Sequence, residues 1–392
     1  MARIVAVTGN EAVAEALRQT NPDVCAAYPI TPATDLMQRF ASFVANGQVD
    51  TELILVESEH SAMSACIGAA AGGGRVATAT SSQGLALMWE MLYIAAGTRL
   101  PIIMPVVNRS LSAPLNIHGD HSDAMGTRDS GWIQLWSENA QEAYDNTIQA
   151  FKIGEHMDIR LPVMVCLDGF IISHSIERAE YLEDSEVKNF VGEYKTLNPL
   201  LDIDNPKSFG PLILPDLFHE YKRAQHEVTT KVKDVVLDIA KEFEKISGRK
   251  YDLFETYRLE DAEIALVILN SAAGTSKDVV DEFRDRGIKA GLLKPRLFRP
   301  FPYEEVANAL KHLKAICVMD RADSSGGYGP VFLEVSSALY HVKKRPQMIN
   351  KIYGLGGRDY LPQHAEQVLS ELVEITKTDN VRIIKEYIGV RE

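Results

Sequence analysis

Cysteine is scarce, at 4 of 392 residues. Cys25, Cys66, Cys166 and Cys317 lie far apart with no C-x-x-C spacing, so the chain offers no zinc, haem or iron–sulfur ligand motif. Four buried, reduced thiols are the expected outcome. An excess of basic charge is also missing: the net charge is −13, which excludes nucleic acid as the main partner because phosphate backbones select basic surfaces. No run approaches the ~18 consecutive apolar residues of a membrane span. The opening MARIVAVTGNEAVAEALRQT has no apolar signal-peptide core, and a cytoplasmic location without membrane contact is expected. Absent too are a P-loop, a dinucleotide fingerprint after the first strand, a G-x-S-x-G elbow, H-E-x-x-H and the kinase motif set. There is no short-period repeat and no low-complexity tract.

What is present is the composition of a folded domain protein, with 46% apolar and 24% charged residues. The length suits two or three domains. Short apolar runs alternate with helical patterns: 2–8, 24–30, 52–57, 75–81, 101–107 and 161–169 read as strands. Helices are expected from Asn10 to Leu17, through Asp35, Met37 and Phe40, over the small-residue run 60–73, and over 85–96. Residues 176–224, with Pro199, Pro206, Pro211 and Pro215, read as a long irregular connector. A helix follows from Val228 and ends near Gly248. Strands at 264–270, 289–294 and 315–320, a helix through Tyr340 and a terminal strand–glycine unit at 352–357 form a second unit. Buried strands separated by helices mean a parallel α/β sheet covered on both faces. Such sheets bind ligands at the carboxyl ends of their strands. That rule selects Thr31, Glu59, Ser81–Gly84 and Arg109.

Glu59 follows an apolar strand and opens a helix of tiny residues. A carboxylic acid held there can hydrogen-bond a cofactor ring nitrogen, as activation of thiamine diphosphate requires; it also suits a plain anion at a helix N-terminus. In YPITP (28–32) two prolines stiffen the loop around Thr31, leaving its hydroxyl to bind a carbonyl or carboxylate, or simply to serve the turn. Arg109 can grip a carboxylate in a bidentate fork or make a structural ion pair. His118, Asp120, His121, Asp123 and Arg128 crowd one segment, but H-x-x-H with D-x-x-D is no established metal spacing, and a hydrogen-bonded loop walling a site is expected. TSSQG (80–84) suits a cofactor edge or a phosphate at a helix start. GLGG (354–357) and DSSGGYG (323–329) are either phosphate cradles or bare turns. Asp168-Gly169 matches the start of the GDG…NN motif that holds diphosphate and Mg²⁺, without the preceding glycine or the later asparagines. The chain therefore carries half a site, with no anchor for a diphosphate.

Taken together, YPITP (28–32), VESEHSAM (56–63), ATSSQGLALM (79–88), VNRSLSAPLNIHGDHSD (107–123), RDSGWIQ (128–134), VCLDGF (165–170) and RLFRPFP (296–302) resemble the α chain of multisubunit pyruvate:ferredoxin oxidoreductases, a branch of the 2-oxoacid:ferredoxin oxidoreductases. The resemblance covers essentially the whole chain in motif order. It implies an α/β fold: a pyrimidine-type parallel-sheet domain of thiamine diphosphate (TPP) enzymes (1–175), a connector and long helix (176–255), and a transketolase C-terminal-like domain (256–392). It implies that Glu59 contacts the aminopyrimidine and that Thr31 and Arg109 hold the 2-oxoacid. Tyr28, Pro29, Ser82 and Gln83 are the further cofactor-binding candidates, and no metal ligand is expected in this chain.

By the same resemblance, the implied reaction converts pyruvate, CoA and oxidised ferredoxin to acetyl-CoA, CO₂ and reduced ferredoxin, reversibly. A β chain would bind the TPP diphosphate with Mg²⁺ and carry a [4Fe–4S] cluster. A ferredoxin-like δ chain would carry further clusters and a γ chain would complete the complex, a dimer of heteromeric units. Relatives acting on oxalate replace the threonine of YPITP with arginine, so Thr31 favours a monocarboxylate such as pyruvate. The alternatives are the same role toward 2-oxoisovalerate or 2-oxoglutarate, or a non-catalytic scaffold subunit. Retention of Glu59, Thr31 and Arg109 together argues against the scaffold.

Overall fold

Local signals in the sequence set the element boundaries of the computed structural model, which describes residues 3–391. Helix Gly9–Thr20 starts at Thr8, whose hydroxyl accepts from the Glu11 amide while the Glu11 carboxylate accepts from the Thr8 amide. This reciprocal cap satisfies donors that a helix start leaves open. Helix Glu59–Gly72 starts at Ser58, which accepts from the Ser61 amide, and stops at Gly73 with φ +109°. Gly248, also left-handed, ends helix Val232–Ser247 as expected.

The strands of the first part are β1 (Arg3–Val7), β2 (Val24–Ala27), β3 (Glu52–Leu55), β4 (Val76–Ala77), β5 (Ile102–Asn108), β6 (Ile133–Trp136), β7 (Val163–Asp168) and β8 (Glu177–Tyr181). Those of the second are β9 (Phe254–Tyr257), β10 (Ile264–Ile268), β11 (Ala290–Pro295), β12 (Leu297–Arg299), β13 (Ala315–Asp320), β14 (Gln347–Ile352) and β15 (Lys385–Tyr387). They form a seven-stranded sheet ordered β12-β6-β7-β5-β4-β2-β3, a six-stranded sheet ordered β15-β14-β13-β10-β11-β9, and an antiparallel β1–β8 pair. The large sheets are parallel apart from β12 against β6 and β9 against β11. The expected doubly covered α/β sheets are therefore present in both halves.

In the first sheet the chain runs from β2 outward to β3, then crosses back to β4 on the other side of β2. Strand order also reverses in the second sheet, between β10 and β13. Such switch points open crevices at the carboxyl ends of the strands.

Three readings of the sequence need correction. Residues 176–224 are not uniformly irregular: they contain β8, helix Asp184–Val191 and the start of helix Pro215–Thr229. That last helix carries Val228, so the helical stretch is two helices, Pro215–Thr229 and Val232–Ser247. No residue of Pro215–Thr229 is buried, so its apolar residues trace no core-facing stripe. The strand at 352–357 is not terminal, since helix Pro362–Thr378 and β15 follow it.

The four cysteines are buried and free, and burial pushes the Cys66 thiol up to about 12. Among the described residues no helix is long and apolar enough to cross a membrane.

Candidate functional site

The residues that the strand-end rule selects meet at the switch point of the first sheet. Thr31 lies on the loop after β2, Glu59 on the helix start after β3, Ser82–Gly84 on the helix start after β4, and Arg109 directly follows β5. They are physically linked. The Arg109 Nη1 donates to the Thr31 carbonyl at 2.9 Å, and its Nε donates to the Asn116 carbonyl at 2.9 Å. These bonds aim the guanidinium and leave Nη2 free of protein acceptors among the described residues. Arg109 is 6% exposed; burial lowers its pKa below the ordinary arginine value, with Asp123 opposing.

Asp123 is the joint of the site. One carboxylate oxygen accepts from the Ser82 and Arg109 amides, both at 2.9 Å. The other accepts from Asn108 Nδ2 at 2.8 Å and from the Ala124 amide at 2.7 Å. Burial nevertheless pushes its carboxyl up to about 6, against the pull of those donors. One side chain thus fixes the carboxyl end of β5 and the start of helix Ser82–Leu87. The sequence places Asp123 in a hydrogen-bonded loop walling a site, but not as the residue that joins these segments.

Glu59 is 7% exposed, yet among the described residues its carboxylate has no hydrogen-bond or ion-pair partner. A Cβ at Gly84 would lie 2.6 Å from Glu59 Oε1 and 2.5 Å from Thr80 Oγ1. Gly84 is glycine because the Glu59 carboxylate passes over it. The hydroxyls of Thr80 and Ser81, both fully buried, also lack partners, as does Asn108 Oδ1. Buried polar groups are rarely left unpaired. An open carboxylate among orphaned hydroxyls fits the polar edge of an aminopyrimidine, which offers both donors and acceptors.

The remaining candidates differ in access. Ser82 is sealed, with φ +48° and its hydroxyl 2.5 Å from the Ser110 carbonyl. Gln83 stays partly open and donates to Ser112 Oγ at 2.9 Å. Tyr28 and Pro29 are exposed on the Thr31 loop.

The His/Asp segment is spent on internal bonds. Asp120 accepts from Ser122 and from the Gly356 amide, and His121 Nε2 lies 2.8 Å from Asp168 Oδ1. GLGG is no open cradle: Asn116 Nδ2 donates to the Gly356 carbonyl, and the Gly357 amide donates to Gly119. A Cβ at Gly357 would meet the His118 Cβ at 2.3 Å, so this loop is glycine in order to dock the second unit against the first. Among the described residues, Glu138, Glu142 and Glu255 are the acidic group close enough for a cation. The Lys294 ammonium fills it, at 2.6, 2.6 and 2.8 Å from the three carboxylates.

Comparison with known proteins gives the family. Residues 15–241 match the family model "Pyruvate flavodoxin/ferredoxin oxidoreductase, thiamine diP-bdg". The chain belongs to that family. Residues 262–365 match "Pyruvate:ferredoxin oxidoreductase core domain II". Among relatives of this oxidoreductase chain, pyruvate synthase subunit PorA of Thermotoga maritima is 55% identical, over 99% of the chain and 98% of the relative. Ketoisovalerate oxidoreductase subunit VorA of Pyrococcus horikoshii is 42% identical, over 95% of the chain and 94% of the relative. In fold, 94% of the chain superposes on 65% of a 2-oxoglutarate:ferredoxin oxidoreductase chain from Magnetococcus marinus (TM-score 0.72, 20% identity), solved with 2-oxoglutarate, coenzyme A and succinyl-CoA bound.

Proposed function

We propose that this chain is the α-type subunit of a pyruvate:ferredoxin oxidoreductase and carries the cofactor-activating and substrate-gripping half of its active site. The observation that carries the assignment of roles is the Glu59 carboxylate, buried but unpartnered, at the same switch point as an Arg109 guanidinium tied to the Thr31 loop. Bound thiamine diphosphate supplies the carbanion chemistry that cleaves a 2-oxoacid beside its carboxylate. Glu59 holds a proton at the aminopyrimidine ring nitrogen, in a site where low dielectric strengthens that hydrogen bond. The Nη2 of Arg109 grips the substrate carboxylate, and the Thr31 hydroxyl adds a neutral hydrogen bond. With a single cation at that position, a monocarboxylate is favoured over a dicarboxylate.

The diphosphate, its Mg²⁺ and the [4Fe–4S] clusters belong to partner β and δ chains, with a γ chain completing a cytoplasmic dimer of heteromeric units. CoA and ferredoxin are the co-substrate and electron acceptor. The division into 1–175, 176–255 and 256–392 goes with this reading. It is supported by the second sheet drawing its strands from Phe254 onward. A second reading, the same role toward 2-oxoisovalerate, is favoured by the VorA relative at 42% identity.

The test is anaerobic purification of the native complex and CoA-dependent viologen reduction with a panel of 2-oxoacids. Strong preference for pyruvate is the expected result. Preference for 2-oxoisovalerate selects the second reading, and no activity with any 2-oxoacid contradicts both.

A further inference from the structure

Strands β5 and β7 are parallel neighbours, with Ile103 opposite Val163. The loops that enter them therefore arrive together at the amino-terminal edge of the sheet, and each delivers an arginine there. Arg99 precedes β5 and Arg160 precedes β7, both with left-handed backbone, at φ +57° and +49°. β5 is 7 residues long, so this edge lies about 20 Å from Arg109 at roughly 3.3 Å per residue.

Neither guanidinium has an ion-pair partner within contact distance among the described residues. Arg99 donates to the Ile159 and Asp158 carbonyls. Arg160 donates to the Lys195 carbonyl at 2.6 Å and to Tyr194 Oη at 2.8 Å. Glu155 feels the Arg160 charge, but Arg75 already holds that carboxylate through Nε and Nη2, both at 2.7 Å. Arg160 is only 5% exposed. Burial, and then the neighbouring Arg160 charge, lower the Arg99 pKa below the ordinary arginine value. Two like charges whose neighbouring carboxylate is already held by a third arginine favour an anion that joins them.

Both arginines line a cavity of about 200 Å³, whose lining also includes the apolar Leu100, Leu197 and Phe209 and the polar Asn198. Arg99 Nη1 and Arg160 Nε make no hydrogen bond to the protein among the described residues, leaving donors for a ligand. We propose that this cavity, at the opposite end of β5 from the proposed catalytic residues, binds a small molecule bearing a dianionic phosphoryl group and an apolar portion. The paired guanidiniums match the dianion, and the leucine and phenylalanine wall takes the rest.

The test uses the full chain in its complex, titrated with inorganic phosphate and with acetate, and a structure determined at saturating phosphate. Density between Arg99 and Arg160, and tighter binding of phosphate than of acetate, are expected. Arg99→Gln should weaken the phosphate response about tenfold, as loss of a charge-assisted pair does, without altering dye reduction measured in the absence of phosphate. Asn198→Asp keeps both arginines and their carbonyl contacts while placing a carboxylate in the cavity lining, and should weaken phosphate similarly even if an arginine variant folds poorly. The proposal is overturned by phosphate binding that both variants leave unchanged, or by density only at other places.

Discussion

Each of the two sheets has a point where strand order reverses, β2/β4 in the first and β10/β13 in the second, and each such point opens a crevice of the kind that binds ligands. The crevices are used in opposite ways, and two carboxylates at strand ends of the first sheet show how. At the first sheet's switch point, Glu59 stands open over Gly84 with no protein partner among the described residues. At the second sheet's switch point, the crevice is filled from outside by Asp168, the last residue of β7. Ser271, after β10, donates to Asp168 through its hydroxyl at 2.5 Å and its amide at 3.2 Å. Arg321, after β13, places Nη1 at 3.3 Å. Burial alone would raise the Asp168 pKa, but Arg321, His121 and Ser271 outweigh it and hold the carboxyl well below the usual range. The same element of fold thus leaves a carboxylate open where partners are withheld and makes an inter-sheet lock where they are supplied. This is also why Asp168-Gly169 does not serve as a diphosphate motif: its carboxylate is already engaged.

The largest expected effect is on rate, at Glu59. Glu59→Gln should lower turnover of the complex by roughly 10²–10⁴, the usual contribution of a positioned acid–base group, while the melting temperature and assembly stay at wild-type values. The converse holds for Asp168→Asn. Breaking a fully buried ion pair costs about 3–5 kcal/mol, so denaturant unfolding should shift strongly, with any rate loss following from unfolding. A Glu59 variant that destabilises, or an Asp168 variant that leaves stability intact, would erase the contrast between the crevices.

Gly84→Ala sharpens it. The new Cβ would sit 2.6 Å from Glu59 Oε1, so the carboxylate must swing. Turnover should fall roughly 5- to 150-fold, for an overpacking cost of roughly 1–3 kcal/mol, read by steady-state kinetics beside a melting curve.

The smallest effect is at Asp123. Asp123→Asn leaves one acceptor oxygen for two pairs of donors, so the Ser82 and Arg109 amides or Asn108 Nδ2 and the Ala124 amide face an NH2 group instead, and KM for the 2-oxoacid should rise several-fold with little change in kcat. Its titration adds a second readout. Because the folded carboxyl is raised from an ordinary 3.8 to about 6, the folded state binds more protons between those values. The stability of wild type relative to Asp123→Asn should therefore fall as pH rises from about 4 to 6 and level off above. A constant difference across that window would mean that Asp123 is not buried as described.

Much of this is legible in the sequence alone. Glu59, Thr31 and Arg109 stand out because periodicity marks a strand's end and ligands gather there, and they do converge in space. Other features left no local trace. Helix Ala140–Gly154 buries Asp145, Asn146, Thr147 and Gln149; Arg249 holds Asp145, and Arg296 holds Asn146 and Gln149. A helix buried on polar as well as apolar faces has no amphipathic signature. The organising role of Asp123 depends on amides from three segments, and the glycine of GLGG that docks on His118 depends on a contact over 200 residues away in sequence. Long-range pairing of this kind is fixed by topology, not by spacing.

The most direct measurement is exchange of the C2 proton of thiamine diphosphate with deuterium in the assembled complex, comparing wild type with Glu59→Gln in the absence of substrate. If the open carboxylate over Gly84 activates the cofactor, exchange should slow by at least about 10² in the variant while cofactor occupancy stays similar. Equal exchange rates at equal occupancy would contradict the central claim that the unpartnered Glu59 is the activating group.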